Sequence, residues 1–175
     1  MILPSVREFF DEIGRQPALA EAVRALRRSG AARLRLTGLN PTAQAVAATL
    51  LHRMSGRPVV LIAPSNQAAE ALAETAGAIF EMLEDAPKLA PPMLLPARRD
   101  ALRRALAARG DQRETWTVLW RMADGAASVV VAPVAAALLK TAKPDFFRNL
   151  AWTILKGDEF FLEDLEQGLR GVGHT

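Results

Sequence analysis

The sequence predicts an α/β domain built around a parallel sheet, and three observations carry that reading. Short β-type runs alternate with helix-like stretches from about residue 33 to 142, the order expected when helices cross between parallel strands. Two of the runs, 58–63 and 128–132, are apolar almost without interruption, as in strands covered on both faces. Half of the 175 residues are hydrophobic while only 6% are aromatic, so Ala, Leu and Val must supply most of the core. A single domain of this size buries roughly 70% of the surface its unfolded chain exposes.

Each element has a local justification. Residues 6–13 and 17–28 read as two helices ahead of the sheet. Arg33, Leu34, Arg35, Leu36 and Thr37 alternate basic and apolar side chains, which predicts a first strand with one wet face. Asn40 caps and Pro41 opens a helix running to about Met54, and Gly56 ends it. The second strand, 58–63, is expected to be buried on both sides. Pro64, Ser65 and Asn66 then punctuate the start of an Ala-, Glu- and Leu-rich helix that runs to about Glu84. Met93, Leu94 and Leu95 form a short third strand. Trp116, Leu119, Trp120 and Ala123 recur at helical spacing before Gly125, with the tryptophans expected in the core. The fourth strand is 128–132. A fifth candidate, 152–155, is separate enough to belong to another sheet. After the turn at Lys156, Gly157 and Asp158, residues Leu162, Leu165 and Leu169 mark an amphipathic helix ending near Gly173.

Composition excludes several classes. With no cysteine there is no disulfide scaffold, thiolate nucleophile or Cys-ligated zinc. Arg7, Glu8, Asp11 and Glu12 follow Met1–Pro4 too soon for a signal peptide. The apolar stretch 126–139 is broken by Ser128 and Pro133 and is shorter than the ~20 residues of a membrane span. A soluble, cytoplasmic chain is expected.

The turn after the first expected strand stands where a phosphate-binding loop would. In the working motif, Gly-x-x-x-x-Gly-Lys-Ser/Thr, the second Gly admits phosphate, Lys supplies charge and the hydroxyl holds magnesium. Here Gly38 is followed at those positions by Ala43, Gln44 and Ala45. No carboxylate ends the run at Val131, Ala132 and Pro133, where a motor ATPase would organise magnesium and water. A capped strand–helix turn is one reading, a relic of a nucleotide site a compatible second. Hydrolysis is not expected, nor is any catalytic residue, metal or cofactor. His52 and His174 lack ligand spacing, His52 being read as a surface residue near helix-terminal carbonyls.

The chain carries 22 basic and 19 acidic residues, a net charge of +3. Arg98, Arg99, Arg103, Arg104, Arg109 and Arg113 concentrate that excess against only Asp100 and Asp111. Clustered arginine suits phosphate or carboxylate recognition. On a helix these side chains would spread around the axis, with no interleaved aromatic for base stacking. A solvated basic helix and a protein- or nucleic-acid-contact surface are both open.

Taken in order, these segments resemble a known family. Residues 57–64 are similar to the second strand of the N-terminal, UvrB-like module of bacterial transcription-repair coupling factors, and 127–134 with Leu138 and Leu139 to its next long strand and helix. Pro144, Asp145, Phe146 and Phe147, then Leu155-Lys156-Gly157-Asp158-Glu159, Leu162-Glu163-Asp164-Leu165, Leu169 and Gly173 follow the family's order and spacing. The likeness covers about Leu34 to His174. It departs from the family at Gly173-His174, where Gly-Tyr is usual, and over 92–114, which is richer in Arg.

The resemblance implies a degenerate RecA-like three-layer α/β domain that has lost its ATP site, followed by the start of a small α+β subdomain. N-terminal helices would occupy 1–30, the UvrB-like core 31–150, and the start of a truncated UvrA-binding subdomain 151–175. It further implies a non-enzymatic module that docks to UvrA in transcription-coupled nucleotide-excision repair. RNA polymerase and DNA would be engaged only through domains absent from this sequence, and much of the UvrA-contact surface would lie past Thr175. The chain is then the front end of a larger protein or a stand-alone remnant, with residues 151–172 frayed or self-associating. The alternative is a stand-alone nucleic-acid-binding module that uses 98–113 for weak DNA contact.

Overall fold

The helix boundaries follow from short-range chemistry. In the computed structural model, which describes residues 4–28, 33–83, 90–97 and 110–150, α1 (Pro4–Gly14) and α2 (Pro17–Arg28) each open on a proline. Helix α3 (Pro41–Ser55) is capped by Asn40, whose Oδ1 accepts the Ala43 N–H at 2.8 Å. It ends at Gly56, which takes a left-handed φ of 70° and donates its N–H to the His52 carbonyl at 2.8 Å. Strand β1 (Val59–Ala63) leads to α4 (Asn66–Leu83), where Ser65 Oγ accepts the Ala68 N–H at 3.2 Å. Then come β2 (Met93–Leu94), α5 (Gly110–Ala123), β3 (Val129–Pro133), the single turn α6 (Val134–Ala137) and α7 (Pro144–Leu150).

The three strands form one parallel sheet in the order β1-β3-β2, with Val59 opposite Val129 and Met93 opposite Val130. Leu95 extends the β2 pairing by donating its N–H to the Val131 carbonyl at 2.8 Å. Alternation along the strands creates two faces. Val59, Leu61, Ala63, Leu94, Val129 and Val131 pack against Ala45, Ala48, Leu50, Ala69, Leu72, Ala76, Ile79 and Leu83 of α3 and α4, with Phe10 of α1 and Leu19 of α2 completing the cluster. On the opposite face, Met93, Leu95 and Val130 meet Val118 of α5 and Ala127. The result is a mixed α/β domain with helices on both sides of a parallel sheet, as the strand–helix alternation predicts.

Three expectations are corrected. Residues 33–37 form no strand; all five side chains are exposed and the segment joins no ladder. Alternating Arg33 and Arg35 with Leu34 and Leu36 satisfies a strand pattern, but a strand also needs a hydrogen-bonding neighbour, which the pattern cannot supply. Strand β1 is not covered on both sides: Val60 and Ile62 are exposed, whereas every residue of β3 is buried. His52 is buried rather than superficial, and its Nδ1 lies 2.8 Å from the Arg57 carbonyl. A carbonyl only accepts, so Nδ1 carries the proton in this bond. The fifth strand expected at 152–155, the amphipathic tail and the proposed subdomain at 151–175 lie outside the described residues.

Candidate functional site

In an open parallel sheet, ligands bind beyond the carboxyl ends of the strands, so that rim is where a site is sought first. Here β1 ends at Ala63 and continues into Pro64, β3 ends at Pro133, and the β2 pairing gives way at Leu95 to Pro96. Val134 follows β3 directly and opens α6. Two polar side chains near these strand ends are taken up by helix caps. Ser65 Oγ caps α4. Thr37, Gly38 and Asn40 lead into α3, where the Asn40 carboxamide takes up the Ala43 amide.

The turn that would cradle phosphate is instead closed on itself. Gly38 adopts φ 79°, the left-handed geometry that favours glycine at a tight turn. Gln44, at the position of the phosphate-binding lysine, folds back and donates from Nε2 to the Leu39 carbonyl at 3.1 Å. Ala43 and Ala45 offer no side-chain oxygen, and Ala45 is wholly buried against the core. A phosphate oxygen arriving here would have to displace the Asn40 cap, and Ala43, Gln44 and Ala45 would offer it no cation. The arrangement holds a helix against a sheet; it supplies none of the charge that phosphoryl transfer requires.

The basic segment divides. Arg98, Arg99, Arg103, Arg104 and Arg109 lie outside the described residues, and Arg113 falls on the first turn of α5. Other arginines have a definite task. Arg27 Nη2 donates to the Met54 carbonyl at 2.5 Å, Arg53 Nη1 to the Leu83 carbonyl at 3.3 Å, and Arg148 Nε to the Ala123 carbonyl at 2.7 Å. Each places a cation at the negative C-terminal end of a neighbouring helix. No sequence pattern announces these contacts, because each joins residues 25 to 30 positions apart.

Trp116 and the Phe146–Phe147 pair, which the sequence presents as separate features, are brought together. The Trp116 ring centroid lies 5.9 Å from that of Phe146 and 5.8 Å from that of Phe147, and the two phenylalanines are 5.4 Å apart at near-perpendicular planes. The cluster fastens α7 to α5, with Phe147 buried and Phe146 partly in solvent. Among the described residues, no group of His, Asp and Glu could hold a metal ion. No described helix is long and apolar enough to cross a membrane. Comparison of the chain with protein-family models, with curated proteins and with solved structures finds no match.

Proposed function

We infer that the chain is a non-catalytic docking module of the transcription-repair coupling type, which engages UvrA in nucleotide-excision repair by surface contact rather than by chemistry. The observation that carries the non-catalytic part is the closed turn at 38–44, where Asn40 and Gln44 occupy the groups a nucleotide would need. The choice of partner rests on the family-like order of residues from Leu34 to His174. A degenerate RecA-like core fits both.

Calorimetric titration with UvrA, together with thermal unfolding in ATP and magnesium, tests the reading. Saturable heat with UvrA and an unchanged Tm with nucleotide are the expected results. A ligand present at 100 times its Kd stabilises by about 2.7 kcal/mol, so nucleotide binding would raise Tm measurably and overturn the non-catalytic assignment. No heat with UvrA overturns the docking assignment for these 175 residues. DNA binding that weakens steeply with salt, in the absence of UvrA binding, would transfer the function to the arginines of 98–113.

A further inference from the structure

Three helices end together near the amino ends of the strands. Arg27, on the last turn of α2, bonds the carbonyl of Met54, one residue short of the end of α3. Arg53, on the last turn of α3, bonds the carbonyl of Leu83, the last residue of α4. Gly56 then turns the chain toward β1 through Arg57, whose own carbonyl is held by the buried His52. These contacts gather five arginines at one end of the domain: Arg24, Arg27 and Arg28 from α2, Arg53 from α3, and Arg57 from the turn. With 3.6 residues per turn, the three on α2 fall within about 100° of arc, beside the face that buries Leu19, Ala22 and Val23.

Positive charge is in excess there. All five side chains are exposed, and among the described residues none lies within ion-pairing distance of a carboxylate. Helix α3 has no acidic residue, Glu21 stands about two turns back from the end of α2, and Glu81 is on the last turn of α4. Three helix carboxyl ends add together about −1.5 elementary charges. With Glu81 counted as well, five guanidinium groups still leave a net positive end. Arg27 and Arg53 each spend one nitrogen on a carbonyl, so most of each five-donor fork is unused. Those two forks are already held in place, and little side-chain freedom remains to be lost when an anion arrives.

The make-up of the surface selects its partner. Protein interfaces centre on apolar and aromatic side chains, and neither α2, α3 nor the turn at 56–58 exposes a large hydrophobic one. These segments also hold no Phe, Trp or Tyr on which an unpaired base would stack. What they offer is a set of guanidinium forks, the group that matches phosphate bidentately. We propose that this end of the domain docks on the phosphate backbone of double-stranded DNA. Arg24, Arg28 and Arg57 make the free contacts, and Arg27 and Arg53 strengthen the attracting field. The contact reads no sequence, because it reaches phosphates and not base edges. The choice of DNA over an RNA duplex rests on the repair reading above; the surface is separate from residues 98–113.

Fluorescence anisotropy of a labelled DNA duplex of about 20 base pairs, titrated with the full chain from about 50 to 200 mM salt, tests the contact. Affinity is expected to fall with salt at a log–log slope between about −2.7 and −4.5, the range for three to five phosphate contacts. The triple variant Arg24→Gln, Arg28→Gln and Arg57→Gln keeps the carbonyl contacts of Arg27 and Arg53. It should bind about tenfold more weakly or worse at the lowest salt and flatten the slope by about 2.7. Should its circular dichroism show that it does not fold, the single variants Arg28→Gln and Arg57→Gln decide, each expected to remove about 0.9 from the slope. No binding at the lowest salt, salt-independent binding, or an unchanged slope in these variants overturns the proposal. So does a loss confined to the variant with Arg98, Arg99, Arg103 and Arg104 all changed to Gln, which moves the contact to the basic segment. Tighter binding of an RNA duplex of equal length overturns the choice of DNA, and equal displacement by polyglutamate makes the partner an acidic protein. Calorimetry with UvrA is read separately, so either contact can fail while the other stands.

Discussion

At Arg148 one side chain serves two partners: Nε donates to the Ala123 carbonyl at the end of α5, and Nη1 pairs with Asp145 at 2.7 Å. The Asp145 pair is exposed and contributes little, so the carbonyl contact is the one expected to matter. Arg148→Met should lower unfolding stability by about 1 kcal/mol, read from the urea midpoint at constant m. Asn40→Ala removes the α3 cap and should cost a similar amount, about 1 kcal/mol, in the same assay. Ser128 is fully buried, and its Oγ donates to the Ala90 carbonyl at 2.6 Å, tying the approach to β2 onto the start of β3. Ser128→Ala strands that carbonyl and should cost about 1–2 kcal/mol. The Asn40 cap was legible in the sequence because donor and acceptor are three residues apart. Nothing local points Ser128 at Ala90 or Arg148 at Ala123.

At the level of elements, β1 and β3 show how alike two strands can look before they are packed. Each is an apolar run of five, yet β3 is buried throughout and β1 exposes every second residue. Position in the sheet makes the difference. Strand β3 lies between β1 and β2 with helices above and below, whereas among the described residues β1 is at the edge of the sheet, beyond the cover of α5. Val131→Ala is therefore expected to lose about 2 kcal/mol through a cavity in the main core, and Ile62→Ala no more than about 0.5 kcal/mol. Equal losses in denaturant titrations would mean that the two strands are covered alike. The helices were read more closely than the strands. Those at 17–28, 41–55 and 66–83 start and stop within a residue or two of where their prolines, caps and glycines place them.

Across the described residues the two layers are unequal. The α1–α4 side holds the larger continuous core, while on the α5 side the described residues pack through Val118, Ala127 and Val130 together with the Trp116–Phe146–Phe147 corner. Native-state exchange at rising denaturant should show α5 and α7 opening at lower free energy than α3, α4 and β3. A single opening energy for both layers would contradict that order. The closed turn at 38–44 had its chemistry written in Ala43, Gln44 and Ala45, so the missing lysine, glycine and hydroxyl could be read directly. That Gln44 bends back onto Leu39 could not, since its side chain had the whole solvent to choose from. By itself, the sequence determined the class of fold, the termini of α2, α3 and α4, and which residues stand at the phosphate-loop positions, because each depends on residues within about one helical turn or on the period of the apolar pattern. Only the tertiary structure decided which strand is central, that 33–37 stays unpaired, that His52 is buried, and where Arg27, Arg53 and Arg148 reach. Burial and pairing are properties of what lies opposite a residue, and its neighbours along the chain do not carry that information.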